Sequence, residues 1–147
     1  MKAYSYKDAP IKVFGVIDFE KNQKIQRLSD ELIEKIPRLS HLGRRCPGAR
    51  IGFKTDSENI KVKITFETLS LDVGMSIYSC QSAAVFAGER QKSRFLGLVN
   101  PANYEQKIFE KTLKKGKPLE DVTVWLPRNE IVADVEISVD DGAQMLP

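Results

Sequence analysis

The sequence predicts an all-β fold: an antiparallel β-sandwich of jelly-roll character with one short helix near residues 30–36. Three observations carry that expectation. Apolar and polar residues alternate with a period of two in segment after segment, turn-forming clusters separate the segments, and a single stretch combines helical spacing with a capping residue.

In chain order, residues 11–17 form the first short strand. The helix comes next. Ser29 suits its N-cap because a short oxygen-bearing side chain can accept from the amides that a first turn leaves unpaired. Asp30 and Glu31 sit where the positive end of the helix dipole favours acids, Leu32, Ile33 and Ile36 supply an apolar stripe, and Pro37 stops the run. In 49–55, Ala49, Ile51 and Phe53 face one way, with Arg50 and Lys54 opposite. In 60–66, Ile60, Val62, Ile64 and Phe66 alternate with Lys61, Lys63 and Thr65. Leu71, Val73, Met75 and Ile77 repeat the pattern, and 83–86 and 95–99 are shorter candidates. Phe109 and Leu113, within 104–113, fit helix and strand spacing equally. Val122, Val124 and Leu126, then Ala133, Val135, Ile137 and Val139, complete the set. Because successive strand side chains point to opposite faces, each run has one buried face, as in antiparallel sheets with one side in water. The expected core therefore comprises Phe53, Ile60, Val62, Ile64, Phe66, Val73, Ile77, Val124, Val135 and Ile137, with Lys61 and Lys63 exposed.

At 147 residues, one domain spanning 1–147 is expected. A net charge of +3 gives no reason for a nucleic-acid partner, and Arg44-Arg45 reads more simply as a solvated pair than as a phosphate site. No apolar run approaches a membrane span and no signal-peptide region opens the chain, so a cytoplasmic location without membrane contact is expected. Cys46 and Cys80 lack metal-ligand spacing and read as free buried thiols. No cofactor is expected. Asp134, Glu136, Asp140 and Asp141 form an acidic cluster, but their spacing matches no EF-hand loop.

The triplet Thr55-Asp56-Ser57 resembles the start of a serine-esterase nucleophile motif. A catalytic serine needs a base, normally a histidine oriented by a carboxylate. The one histidine is His41, no Asp-x-x-His occurs, and Ser57 is followed by a turn and a strand rather than a helix N-terminus. Asp56 and Ser57 are expected to cap a hairpin turn, and no residue of the chain is expected to be catalytic.

Four segments, taken in order, carry a family likeness: Gln26-Arg27-Leu28-Ser29, then Gly48 to Ser57, then Gly74-Met75-Ser76-Ile77-Tyr78, then Val124-Trp125-Leu126-Pro127. Together they resemble the N-terminal accessory domain, named for a Gly-x-Asp-Leu-Tyr motif, of bacterial SGNH/GDSL-type hydrolases. The likeness covers roughly residues 10–147. Ser76 stands where the family has Asp, Ile77 where it has Leu, and Ser29 where it often has Pro. The Ser76 change removes any role a carboxylate would serve there. The resemblance implies a non-catalytic sandwich that packs on a downstream SGNH catalytic domain and shapes its substrate cleft, inside a longer esterase acting on an ester such as an acetylated carbohydrate. A carbohydrate-binding module is the alternative. The contact residues expected for either role are Trp125, Tyr78 and Arg50. The contact with a following domain is expected to border residues 134–139, near a linker starting at Gly142, with Trp125 partly exposed beside it.

Overall fold

The computed structural model describes residues 1–70 and 74–147. In chain order the strands are β1 (Lys2–Ser5), β2 (Lys12–Phe14), β3 (Arg50–Thr55), β4 (Asn59–Phe66), β5 (Ala83–Ala87), β6 (Arg94–Val99), β7 (Ile108–Lys114), β8 (Glu120–Trp125), β9 (Val132–Val139) and β10 (Met145–Leu146). They form two antiparallel sheets packed face to face, which is the sandwich read from the alternation. One sheet has the order β1-β9-β4-β7. The other runs β10-β3-β8-β5-β6, with β2 sharing the outer edge of β3 with β10.

The core lies between the sheets and follows the period-two pattern. From the first sheet, Ile60, Val62 and Ile64 of β4 face Val135 and Ile137 of β9 across one register, all fully buried. From the second, Ile51 and Phe53 of β3 stand beside Val124 and Val122 of β8, again buried. Lys61 and Lys63 point the other way and are half-exposed. In β7 the alternation is interrupted: Phe109 and Leu113 are buried, while Lys111 between them shares their face yet stays exposed at the sheet edge. A charge on the inward side of an edge strand discourages another chain from pairing there, and it explains why the spacing also fitted a helix.

Helix α2 (Asp30–Lys35) begins as its sequence requires, with the Leu32 amide donating to Ser29 Oγ at 3.2 Å. Around it, α1 (Phe19–Asn22) and α3 (Ser40–Arg44) are single turns that the sequence pattern did not announce. The strand expected over 71–77 is not formed in its described part, and Leu71 and Val73 lie outside the described residues. Gly74 takes a left-handed φ of +84°, and α4 (Ile77–Cys80) comes after it, with Ser76 Oγ accepting from the Ser79 amide at 3.3 Å. A left-handed glycine and an N-capping serine are both helix-boundary features, and here they outweigh the apolar alternation. Ile77 is consequently half-buried rather than core, and Met75 is exposed.

Candidate functional site

The outer faces of the two sheets differ in chemistry, and the difference locates the site. On the four-stranded sheet the outward charges are mutually compensated, with Lys63 between Glu136 and Glu110 and Lys61 paired with Glu110 at 3.7 Å, and Ile108 at the edge is the exposed large apolar side chain among the described outward positions. Such a face is content in water. On the six-stranded sheet the outward positions carry aromatic rings, with Phe14 41%, Trp125 40% and Phe95 56% exposed. Contiguous apolar surface on that scale marks a contact or ligand site.

Strand order brings the rings together. Phe14 of β2 is registered with Arg50 of β3, Arg50 with Trp125 of β8, and Trp125 with Ala84 of β5. The Arg50 guanidinium carbon lies 5.1 Å from the centre of the Phe14 ring and 5.1 Å from that of Trp125, a cation–π contact to each. One step along the strands, Gly52 and Thr123 make a low floor between Lys12 and Phe86. A β-carbon on Gly52 would come within 3.0 Å of the Phe14 ring, so the missing side chain is what lets that ring lie over the sheet. Phe86 in turn packs on Phe95 with ring centres 5.4 Å apart.

The result is a groove of two contiguous hollows. One, about 420 Å³, is walled by Arg50, Trp125, Phe86 and Arg90; the other, about 270 Å³, by Phe14, Lys12, Asp121 and the terminal Pro147. Arg90 reaches it from a single 3₁₀ turn (Arg90–Lys92) with φ of +38°, a left-handed conformation that costs a non-glycine residue energy. Among the described residues, Arg50, Arg90 and Lys12 have no carboxylate within ion-pair distance, whereas Arg94 at the neighbouring edge is gripped by both oxygens of Glu120 at 2.7 and 2.6 Å. That grip, chiefly the Arg94 hydrogen bond, holds the Glu120 carboxyl below its ordinary value.

Of the three residues singled out from sequence, Arg50 and Trp125 thus meet in one site. Tyr78, 66% exposed on α4, lies outside the groove lining. Phe14, Phe86, Arg90 and Phe95 were missed, although Phe86 could have been suspected: it occupies an outward position in a strand whose inward residues are Ala83, Val85 and Ala87. Residues 134–139 belong to β9, in the other sheet from Trp125, so the two do not form one face as expected from their closeness in sequence.

The Ser57 hydroxyl is built into the fold rather than presented to a substrate. Ser57 is 1% exposed; its Oγ accepts from the Asp140 amide at 2.8 Å and lies 2.6 Å from the Asn59 carbonyl oxygen. The Asp140 carboxylate accepts from the Asn59 amide at 2.8 Å, which, as the leading cause, holds its carboxyl below the usual value. Asp56 accepts from the Gln144 amide at 2.8 Å. The turn thereby ties β3 and β4 to the C-terminal segment. Asp141 pairs with the N-terminal amine at 3.1 Å, and among the described residues no three His, Cys, Asp or Glu side chains come together.

His41 is hydrogen-bonded elsewhere, its Nε2 lying 2.7 Å from Ser70 Oγ and 3.2 Å from the Arg45 guanidinium. No carboxylate orients the ring among the described residues, and a proton taken from Ser70 would come to rest beside a guanidinium, so the pair lacks the third member of a catalytic triad. Arg44 is engaged by Glu67. Cys46 and Cys80 are buried and not in a disulfide, and burial pushes the Cys46 thiol up to about 12.

Over residues 2–145 the chain matches a family model described as GxDLY, the N-terminus of esterases of the SGNH-hydrolase type. Among solved structures, a protein described as a GDSL-like lipase from Bacteroides ovatus is similar with a TM-score of 0.84 at 18% identity, over 99% of this chain and 42% of that one. The salicylyl-acyltransferase SsfX3 from a tetracycline biosynthetic pathway is similar with a TM-score of 0.69 at 16% identity, over 99% of this chain and 41% of that one. At such identities the likeness to these structures is one of fold. The chain spans about two fifths of the length of the solved chains it matches. No curated protein sequence matches it significantly.

Proposed function

The chain belongs to the GxDLY family, the N-terminal domains of SGNH-hydrolase-type esterases, and from that premise we propose that residues 1–147 are one non-catalytic accessory domain. Its partner is the SGNH catalytic domain of the same polypeptide, which packs on the outer face of the six-stranded sheet and has its substrate cleft bordered by that face. The observation that carries this reading is the asymmetry of the two sheets: among the described residues, the six-stranded one presents exposed rings beside arginines that have no carboxylate partner, and the four-stranded one does not. The path of the chain supports it. Strand β10 runs along β3, and Pro147 rims the groove, so a domain attached there starts on the aromatic face. The parent protein then hydrolyses an ester, with a carbohydrate acyl ester as the proposed substrate class.

A second reading, a carbohydrate-binding module, is favoured by one feature: a partly exposed indole beside a hollow large enough for a single ring. Either role suits a cytoplasmic chain, whose two cysteines are reduced and buried.

The 147-residue chain is expected to hydrolyse short-chain aryl esters no faster than buffer, because neither Ser57 nor Ser70 has a carboxylate-oriented base. Turnover that disappears in Ser57→Ala or Ser70→Ala, measured by release of the aryl alcohol, would overturn the accessory reading.

A further inference from the structure

We infer that the groove between Arg50 and Arg90 is an anion site that takes a carboxylate carried on a ring. All the residues involved lie in this chain, on the face that the proposed catalytic domain would border.

Charge comes first. Arg50, Arg90 and Lys12 line the two hollows without ion-pair partners, against Asp121 at one end and Glu89 on the rim. In the larger hollow Arg50 and Arg90 share the lining with no carboxylate, so an anion entering it meets two cations. Geometry comes next. The rings of Phe14 and Trp125 flank the Arg50 guanidinium at 5.1 Å each. Stacking occupies the faces of a guanidinium and leaves its N–H edge for hydrogen bonding, and that edge matches the two oxygens of a carboxylate. Because the rings already restrict the side chain, less freedom is lost when an anion binds. Arg90 adds a second cation from a strained turn whose left-handed backbone, next to Gly88 at φ of +103°, directs it over the same hollow.

The walls set the rest of the ligand. Between the cations the surface is Phe86, Trp125 and the flat floor at Thr123, with Thr123 and Ser93 as the uncharged polar side chains of the lining. A bare carboxylate such as acetate would satisfy the arginines and leave the rings in water. A carboxylate borne on a ring covers both. Two sources share that chemistry, a uronic acid and an aromatic acid, and a volume of about 420 Å³ admits one such ring.

Trp125 is the chain's single tryptophan and reports on the site directly. Its fluorescence would be titrated in the 147-residue chain with glucuronate, benzoate, their uncharged counterparts glucose and benzamide, and acetate. At least one ring carboxylate is expected to shift the emission at concentrations about tenfold below acetate and below its own neutral counterpart, the discrimination a charge-assisted pair provides. The shift should weaken with added salt, diminish in Arg50→Lys and vanish in Arg50→Ala, while Lys61→Ala on the opposite sheet leaves it unchanged. A preference for glucuronate identifies a sugar acid, and a preference for benzoate an aromatic one. Thermal melts of the Arg50 variants show that loss of binding is not loss of fold, and Arg90→Ala provides a second variant outside the β3 register. The inference is overturned if neither ring carboxylate exceeds acetate and its neutral counterpart, or if folded Arg50→Ala and Arg90→Ala both titrate like the parent chain.

Discussion

Replacing Ile137 by alanine lowers the stability of the chain by about 2–5 kcal/mol, and Ile64→Ala does the same, as deletions of fully buried aliphatic groups do. Both side chains are at 0% exposure in the centre of the four-stranded sheet. Ile137 is registered between Tyr4 of β1 and Val62 of β4, and Ile64 between Val135 of β9 and Phe109 of β7. Strands hydrogen-bonded on both sides cannot collapse into the space left, so the cavity term adds to the lost burial. Lys61→Ala and Lys63→Ala, one position away on the same strand, are expected within about 0.5 kcal/mol of the parent chain. Urea denaturation followed by circular dichroism checks the four variants together. Costly lysine changes with harmless isoleucine changes would mean that β4 is registered one residue off, since a single-residue slip exchanges its two faces.

Glu130→Ala is expected to cost about 3–5 kcal/mol, from the loss of charge-assisted hydrogen bonds to a buried carboxamide and a part-buried amide. Glu130 is at 0% exposure in the connection between β8 and β9. Both its oxygens accept from the Ser70 amide, at 2.9 and 3.0 Å, and one also accepts from Gln81 Nε2 at 2.9 Å. The carboxylate thus fastens the segment after β4 and the entry to β5 onto one loop. Removing it leaves the fully buried Gln81 carboxamide and the part-buried Ser70 amide without this acceptor, which for the buried group costs more than the bond itself contributes. Glu130→Gln keeps the shape and one acceptor and should fall between. Denaturation midpoints measure the loss, and hydrogen exchange at the Ser70 amide localises it. A Glu130→Ala variant within about 1 kcal/mol of the parent would show that water or other groups serve those donors equally well.

These two networks also mark what the sequence could and could not disclose. The core strands β3, β4, β8 and β9 were legible because alternation survives along most of each; in β9 it fails at Ala133, expected inward but exposed, where the pairing with β4 shifts register. The alternation over 71–77 misled because it counts apolar residues and is blind to backbone conformation; Gly74 and Ser76 decide the matter locally in favour of a turn and α4. Strands β1 and β10 are too short to display a period and exist through their pairing with β9 and β3. Glu130 carries no local signature, since its partners are 60 and 49 residues away in sequence. At the candidate site, Arg50 and Trp125 stood out as large residues on the polar side of good strands. Their meeting, and the arrival of Phe14, Phe86 and Arg90, result from the non-sequential order β2-β3-β8-β5, which no local pattern encodes.

Acrylamide quenching of Trp125 tests most directly whether the aromatic face is where the catalytic domain sits. The indole is 40% exposed in the 147-residue chain, so acrylamide reaches it there. The same measurement is made on a polypeptide extended by the proposed catalytic domain, with that domain's tryptophans replaced by phenylalanine so that Trp125 alone reports. Aromatic residues at the centre of a domain contact are desolvated, and the quenching constant is expected to fall by about twofold or more in the longer polypeptide as the indole is covered. Equal quenching in the two proteins would contradict that placement and put the catalytic domain on another surface, leaving the Arg50–Trp125 groove open to solvent.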